Sequence, residues 1–418
     1  MKSFLLLALM CWCHFTVVAQ SKTLEFSSLS HDEIFAKAKA ENKSIMLFFH
    51  FEKCGACISM IEETFIAPAV IEYYKSNFIS MSIDTEKGDG IALKEKYNIS
   101  LQPAFLFFDT AGNLAHKYIG FMEEEEFIGE GKKVVENLLT STKAEKMYNE
   151  GNRDLDFLIA YNYIADAAYT LDSTIIKSTF ENIKAEDYTK EKVLKYMFLI
   201  YDYRGFIAMN YYSNEFQFLI DNINLLYSHF DTITVHNNML AMLSNMQEEI
   251  IKRKDEAAFK KALSYIEKFE QKDNMIYSIK HLSDNSVMFT KYMSLRFASE
   301  FYKEFGDKKK YAVAQKAYED SFWHDTYFLN NMAWLGVYYG KNIPKSELEL
   351  YTKYALRAIA LEDKFNHNLT YAWVLYRTGN KKNIKKAKVQ LQKALSLANE
   401  KEQSNEQALE LKALLEKV

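Results

Sequence analysis

A chain of 418 residues exceeds one ordinary domain, and a 49% hydrophobic content is enough to build real cores, which excludes general disorder. The formal net charge of -4 excludes the strongly basic surface that nucleic acid or an anionic membrane attracts. The 28 Tyr and 30 Phe are spread along the chain, as core packing requires, and form no basic aromatic stripe.

The chain opens with Lys2 and an apolar run over residues 4–18, closed by Val17-Val18-Ala19. This predicts a secretory signal over residues 1–19, cleaved to leave Gln20, and hence export: to the periplasm in a Gram-negative bacterium, to the outside otherwise. The run is short for a bilayer span, so a retained anchor is the weaker alternative. Cys11 and Cys13 leave with the signal, and the mature chain keeps only Cys54 and Cys57. A bridge across two residues closes almost no loop. As scaffolding the pair contributes little; as redox chemistry it makes sense.

Glycine and proline then divide the protein. Seven of the 13 glycines lie between Gly55 and Gly131, and two of the three prolines, Pro68 and Pro103, fall in the same stretch. Beyond about residue 140 both are scarce and helix formers dominate, which predicts one domain over residues 20–140 and helical structure after it. In the first part, residues 29–40 read as a helix capped by Ser30. Residues 44–51 form an unbroken apolar run, the pattern of a strand buried on both faces. The two cysteines follow at once, then a helix through Ile58 and Ile61, and a further helix beginning at Pro68. Residues 78–84 predict a second buried strand and 91–97 a helix. Residues 104–108 predict a third strand, 111–113 a turn, and 114–119 its hairpin partner. Glu123 to Glu126 open a last helix, where acidic side chains suit the positive end of the dipole. The order implies a mixed sheet with helices on both faces.

Cys54 stands right after a buried strand and at the start of a helix. Amide groups there favour a thiolate, the attacking species in disulfide exchange. Cys57, one turn further in, is placed to resolve a mixed disulfide. Gly55 is expected to permit a tight turn and Ala56 to keep the loop small. Pro103 precedes a strand; a cis bond there would turn backbone near Gln102 toward the cysteines as a shelf for an extended peptide. An ordinary trans proline at a strand start is the alternative.

Cys54-Gly55-Ala56-Cys57, the 78–84 strand, Pro103 before Ala104-Phe105-Leu106, and the Gly112 hairpin ending in Gly120 together resemble the thioredoxin family over residues 26–140. The run from Cys57 to Met60, with Phe65, Val70, Phe78 and Asp84, is most similar to its exported branch, including the C-terminal domains of thiol–disulfide interchange proteins. The resemblance implies an α/β thioredoxin fold and a thiol–disulfide oxidoreductase of reducing type. It makes Cys54 the nucleophile, Cys57 the resolving thiol and Pro103 the cis proline, with no cofactor beyond the dithiol. The sequence departs from the family at Lys53, where Trp is frequent, and at Phe48, where thioredoxin carries a buried Asp that helps deprotonate the second thiol. Lys53 would either lower the Cys54 pKa or stand as a solvated surface charge. The proton acceptor for Cys57 is left open between His50 and Glu52. Zinc is disfavoured: two cysteines supply half a site, and His50 and His116 have no standard spacing.

After residue 141 helical patterns alternate with short polar turns, without countable repeats up to 286. In 287–418, Gly306, Gly340 and Gly379 recur at separations of 34 and 39 residues, and Ala333-Trp334 is echoed by Ala372-Trp373. This segment resembles degenerate tetratricopeptide repeats, an all-α helical-repeat domain for a protein partner. The function expected is an exported thiol–disulfide oxidoreductase acting on protein thiols and disulfides. The rival is a non-catalytic scaffold that binds through its repeats and keeps the thioredoxin fold as an adaptor.

Overall fold

The computed structural model describes residues 23–203, 205–270 and 292–417. The expected signal segment, Cys11, Cys13, the start of the first domain at residues 20–22 and the first residues of the repeat segment lie outside these. The chain divides into two compact units, one ending at Ala208 and the other starting at Met209.

The first unit begins with helix α1 (His31–Glu41), held at its start by a reciprocal capping box: the Ser30 hydroxyl accepts from the Glu33 amide, and Glu33 accepts from the Ser30 amide. Strand β1 (Ser44–His50) follows, then the short helix α2 (Gly55–Ser59), a π-helical turn (Met60–Thr64), and α3 (Pro68–Asn77) with its proline at N1. Strand β2 (Phe78–Asp84), helix α4 (Asp89–Lys96), the hairpin β3 (Ala104–Phe108) and β4 (Leu114–Ile119), and helix α5 (Glu124–Val135) complete the predicted order. The sheet runs β2-β1-β3-β4; β1 pairs parallel with β2 and antiparallel with β3.

The strand period of two splits the core. Met46, Phe48, Phe105 and Phe107 meet Cys57, Met60, Val70, Tyr74 and Phe127, from α2, the π turn, α3 and α5. Ile45, Leu47, Phe49, Leu106 and Phe108 meet Ile34, Ala38 and Leu93, from α1 and α4. Helices on both faces explain why β1 reads as a continuous apolar run.

Four more helices continue this unit: α6 (Ser141–Asn149), α7 (Leu155–Ala167), α8 (Ser173–Asn182) and α9 (Glu191–Leu199). The sheet domain expected to end near residue 140 is thus followed by these helices within the same compact unit. Helix α6 is tied to the sheet: the Thr142 hydroxyl donates to the Ala115 carbonyl at 2.6 Å, and the Lys117 amide donates to the Ser141 hydroxyl at 2.9 Å. A two-residue hairpin, Asp202–Tyr203 with Phe206–Ile207, ends the unit.

The second unit is helical throughout its described residues. It holds α10 (Asn214–Asp221), α11 (Ile223–Leu226), α12 (Thr232–Arg253) and α13 (Glu256–Glu270). Then come three packed pairs: α14 (Met293–Phe305) with α15 (Lys308–Phe322), α16 (Thr326–Tyr338) with α17 (Lys345–Leu361), and α18 (Phe365–Arg377) with α19 (Lys381–Leu397), followed by α20 (Glu406–Glu416). Gly306 and Gly379 sit past helix ends at positive φ, where glycine is unstrained. Trp373 is buried and donates its indole N–H to the Gln407 carbonyl, while Arg377 donates to the Val337 carbonyl, so side chains of α18 bind backbone on both sides of it.

Candidate active site

The site is built at the end of β1. The strand closes at His50, a turn returns the Cys54 amide to the Phe51 carbonyl at 3.2 Å, and Cys54 becomes the N-cap of α2. Its Sγ accepts the Cys57 amide at 3.2 Å. Cys54 and Cys57 are joined by a disulfide, with their Cα atoms 5.2 Å apart. A sulfur that receives a helical amide is stabilised as a thiolate once the bond is reduced. Both sulfurs are more enclosed than a helix-tip placement suggests: Cys54 is 5% exposed and Cys57 1%. The order is nonetheless the expected one, with Cys57 behind Cys54 in the core shared with Phe48 and Met60.

The Gln102–Pro103 peptide bond is cis. In the antiparallel register Ala104 faces Phe49, so Pro103 comes beside His50, at the same sheet end from which the cysteine turn departs. The Gln102 side-chain amide donates to the Thr85 hydroxyl at 3.4 Å, and Thr85 donates to the His50 carbonyl at 3.0 Å. Gln102 is thus turned toward the end of β2. The role of Thr85 escaped the sequence reading, although the parallel pairing of His50 with Asp84 puts it one residue away.

Other expected residues fare differently. Gly55 is the first residue of α2, does not adopt positive φ, and a Cβ built on it meets nothing within 4 Å. The tight-turn reason for a glycine is therefore not met. Ala56 and Lys53 are exposed. Phe48 is wholly buried, with its ring 5.2 Å from that of Phe105 and 5.0 Å from that of Phe65. His50 Nε2 lies 2.8 Å from the Ser82 hydroxyl. Burial pulls its pKa below the usual value and Lys87 adds to this, against the opposing pull of Asp84. The Glu52 carboxylate accepts from Lys87 at 2.9 Å, and Lys87 also pairs with Asp84 at 3.2 Å. Both candidate proton acceptors are thus engaged with β2 and the turn after it. Among the described residues no group of three or more His, Cys, Asp or Glu is placed to hold a metal, and no helix is long and apolar enough to cross a membrane.

The family model of a thioredoxin-like domain matches residues 31–134. No curated protein matches the chain. Among solved structures, a solution structure of a candidate disulphide-isomerase from Bacteroides thetaiotaomicron is 28% identical with a TM-score of 0.26, over 28% of this chain and 98% of its own. A DsbH oxidoreductase is 18% identical with a TM-score of 0.25, over 28% of this chain and 88% of its own. A thioredoxin from Thermus thermophilus is 25% identical with a TM-score of 0.25, over 27% of this chain and 88% of its own.

Proposed function

Because residues 31–134 form a thioredoxin-like domain, we propose that the protein is an exported thiol–disulfide oxidoreductase that works as a reductase. The observation that carries this reading is the Cys54–Cys57 disulfide at a strand-to-helix turn, with the Cys57 amide on the Cys54 sulfur. Reduced, Cys54 attacks a substrate disulfide as the thiolate. One substrate sulfur leaves and takes a proton, and a mixed disulfide remains on Cys54. Cys57 then attacks Cys54, frees the second substrate sulfur and restores the intramolecular bond. Two electrons pass from the dithiol to the substrate, and no further cofactor takes part. Pro103 and the backbone at Gln102 form the shelf on which an extended substrate lies beside Cys54.

The helical segment 287–418, read as degenerate tetratricopeptide-like repeats, supplies a surface for a protein partner. The three helix pairs and the recurrence of Trp334 in Trp373 support that reading. Export rests on the leader-like composition of residues 1–19.

Insulin reduction with dithiothreitol as electron source tests the reading. The wild-type protein accelerates reduction, Cys54→Ser abolishes the acceleration, and Cys57→Ser accumulates a mixed disulfide on Cys54. A wild-type protein with no effect, or a Cys54→Ser variant as active as wild type, overturns it and favours the scaffold alternative.

A further inference from the structure

Three isoleucines that follow the cysteines are exposed: Ile58 at 40%, Ile61 at 42% and Ile66 at 49%. Ile58 is the residue after Cys57, and Ile61 lies three further on, one helical turn away. Cys57, Met60 and Phe65 of the same stretch are buried in the core with Phe48 and Phe105 of the sheet. The isoleucines therefore lie on the outer side, where each leaves 40–49% of its surface to water. No Lys or Arg occurs from residue 54 to 74, or from 118 to 131.

These two stretches are bonded together. The Thr64 hydroxyl donates to the Met122 carbonyl at 2.5 Å, and the Met122 amide points to Met60 Sδ at 3.2 Å. The bonds set the acidic head of α5, residues 123–125, beside the π turn that carries Glu62 and Glu63, and all five glutamates are exposed. An apolar strip next to the disulfide thus has an acidic rim with no cation on either contributing segment.

We propose that this strip is a docking surface for a protein thiol or disulfide whose cysteine is flanked by apolar and cationic side chains. The partner lays its apolar residues on Ile58 and Ile61 and its lysines or arginines against the glutamate rim. The charge of the rim selects the occupant: an acidic partner is repelled, and a second copy of this chain would bring like charge against like. The proposal deepens the reading of Cys54–Cys57 as a working pair and rests on it.

The test uses the reduced full-length protein and symmetric disulfides of three short peptides, each with one cysteine, flanked by leucine and arginine, leucine and glutamate, or serine and arginine. Hydroxyethyl disulfide, small and neutral, reports the basal activity. In each reaction the dithiol is oxidised to the Cys54–Cys57 bond and two peptide thiols are released. The leucine–arginine disulfide reacts about tenfold faster than the leucine–glutamate one at low salt, and the gap closes as salt rises. Glu62→Lys with Glu63→Lys removes that preference. Ile58→Ser with Ile61→Ser removes the advantage of leucine over serine. Neither pair changes the rate with hydroxyethyl disulfide, which also shows that the variants are folded. Equal rates for all three peptides overturn the docking proposal, as does a sedimenting dimer that the Ile58→Ser, Ile61→Ser protein no longer forms. No reaction with hydroxyethyl disulfide overturns the functional reading itself.

Discussion

At the scale of single residues, the site separates what a motif states from what its surroundings do. The C-x-x-C pattern and Pro103 were legible because their residue types are rare in this chain and their flanks read as strand and helix. The partners of His50, Glu52 and Gln102 were not, because Ser82, Lys87 and Thr85 reach them from 32, 35 and 17 residues away. Phe48 shows the consequence. The position where thioredoxin carries its buried Asp is occupied by a ring packed against Phe65 and Phe105. An aspartate there would be a buried charge without a partner in place of an apolar contact. Phe48→Asp is therefore expected to cost about 3–5 kcal/mol of stability, the range for losing a buried aromatic, before any charge penalty is added. Urea unfolding of the oxidised protein measures it; a loss under about 1 kcal/mol would contradict the packing described here.

At the scale of elements, most of the sheet domain was predictable from periodicity and punctuation. Ser30, Pro68 and the 111–113 turn each mark an element boundary that the structure keeps. The π turn at Met60–Thr64 was not predictable, since it carries no glycine or proline and differs from an α-helix only by one extra residue in the hydrogen-bonded ring. The attachment of α6 was hidden for another reason: a helix that follows a domain and one that belongs to it have the same pattern. Beside the bonds of Thr142 and Ser141 to β4, α6 is held by the buried His116 of the same strand. The Ser141 amide donates to His116 Nδ1 at 3.0 Å, which leaves the ring proton on Nε2, facing the Glu130 carboxylate at 2.5 Å. Burial alone would raise the Glu130 pKa, but the hydrogen bonds from His116 and Lys133 outweigh it and hold the group below its usual 4.5. A carboxylate with a depressed folded pKa contributes stability that is fully present above 4.5 and is lost as pH falls through the folded value. Glu130→Gln, which still accepts the Nε2 proton, should flatten the acid limb of stability against pH below about 4.5 in urea titrations. A variant whose acid limb is as steep as that of wild type would show that Glu130 is not responsible.

At the scale of the whole molecule, the chain forms two compact units: the first holds the mixed sheet with the dithiol and further helices, the second a series of helix pairs among its described residues. The helix ends before Gly306, Gly340 and Gly379 were readable, since each glycine stands at or just after one. The unit boundary at 208 was not, because no change of composition marks it. The proposed chemistry requires one property of the first unit, that its disulfide opens reversibly. Equilibrating the full-length protein in glutathione or dithiothreitol redox buffers at pH 7, and counting free thiols at Cys54 and Cys57, measures this directly. The expected result is a reversible two-electron couple between about -270 and -180 mV, the span from thioredoxin to protein disulfide isomerase. A potential below about -300 mV, where structural disulfides lie, would contradict it.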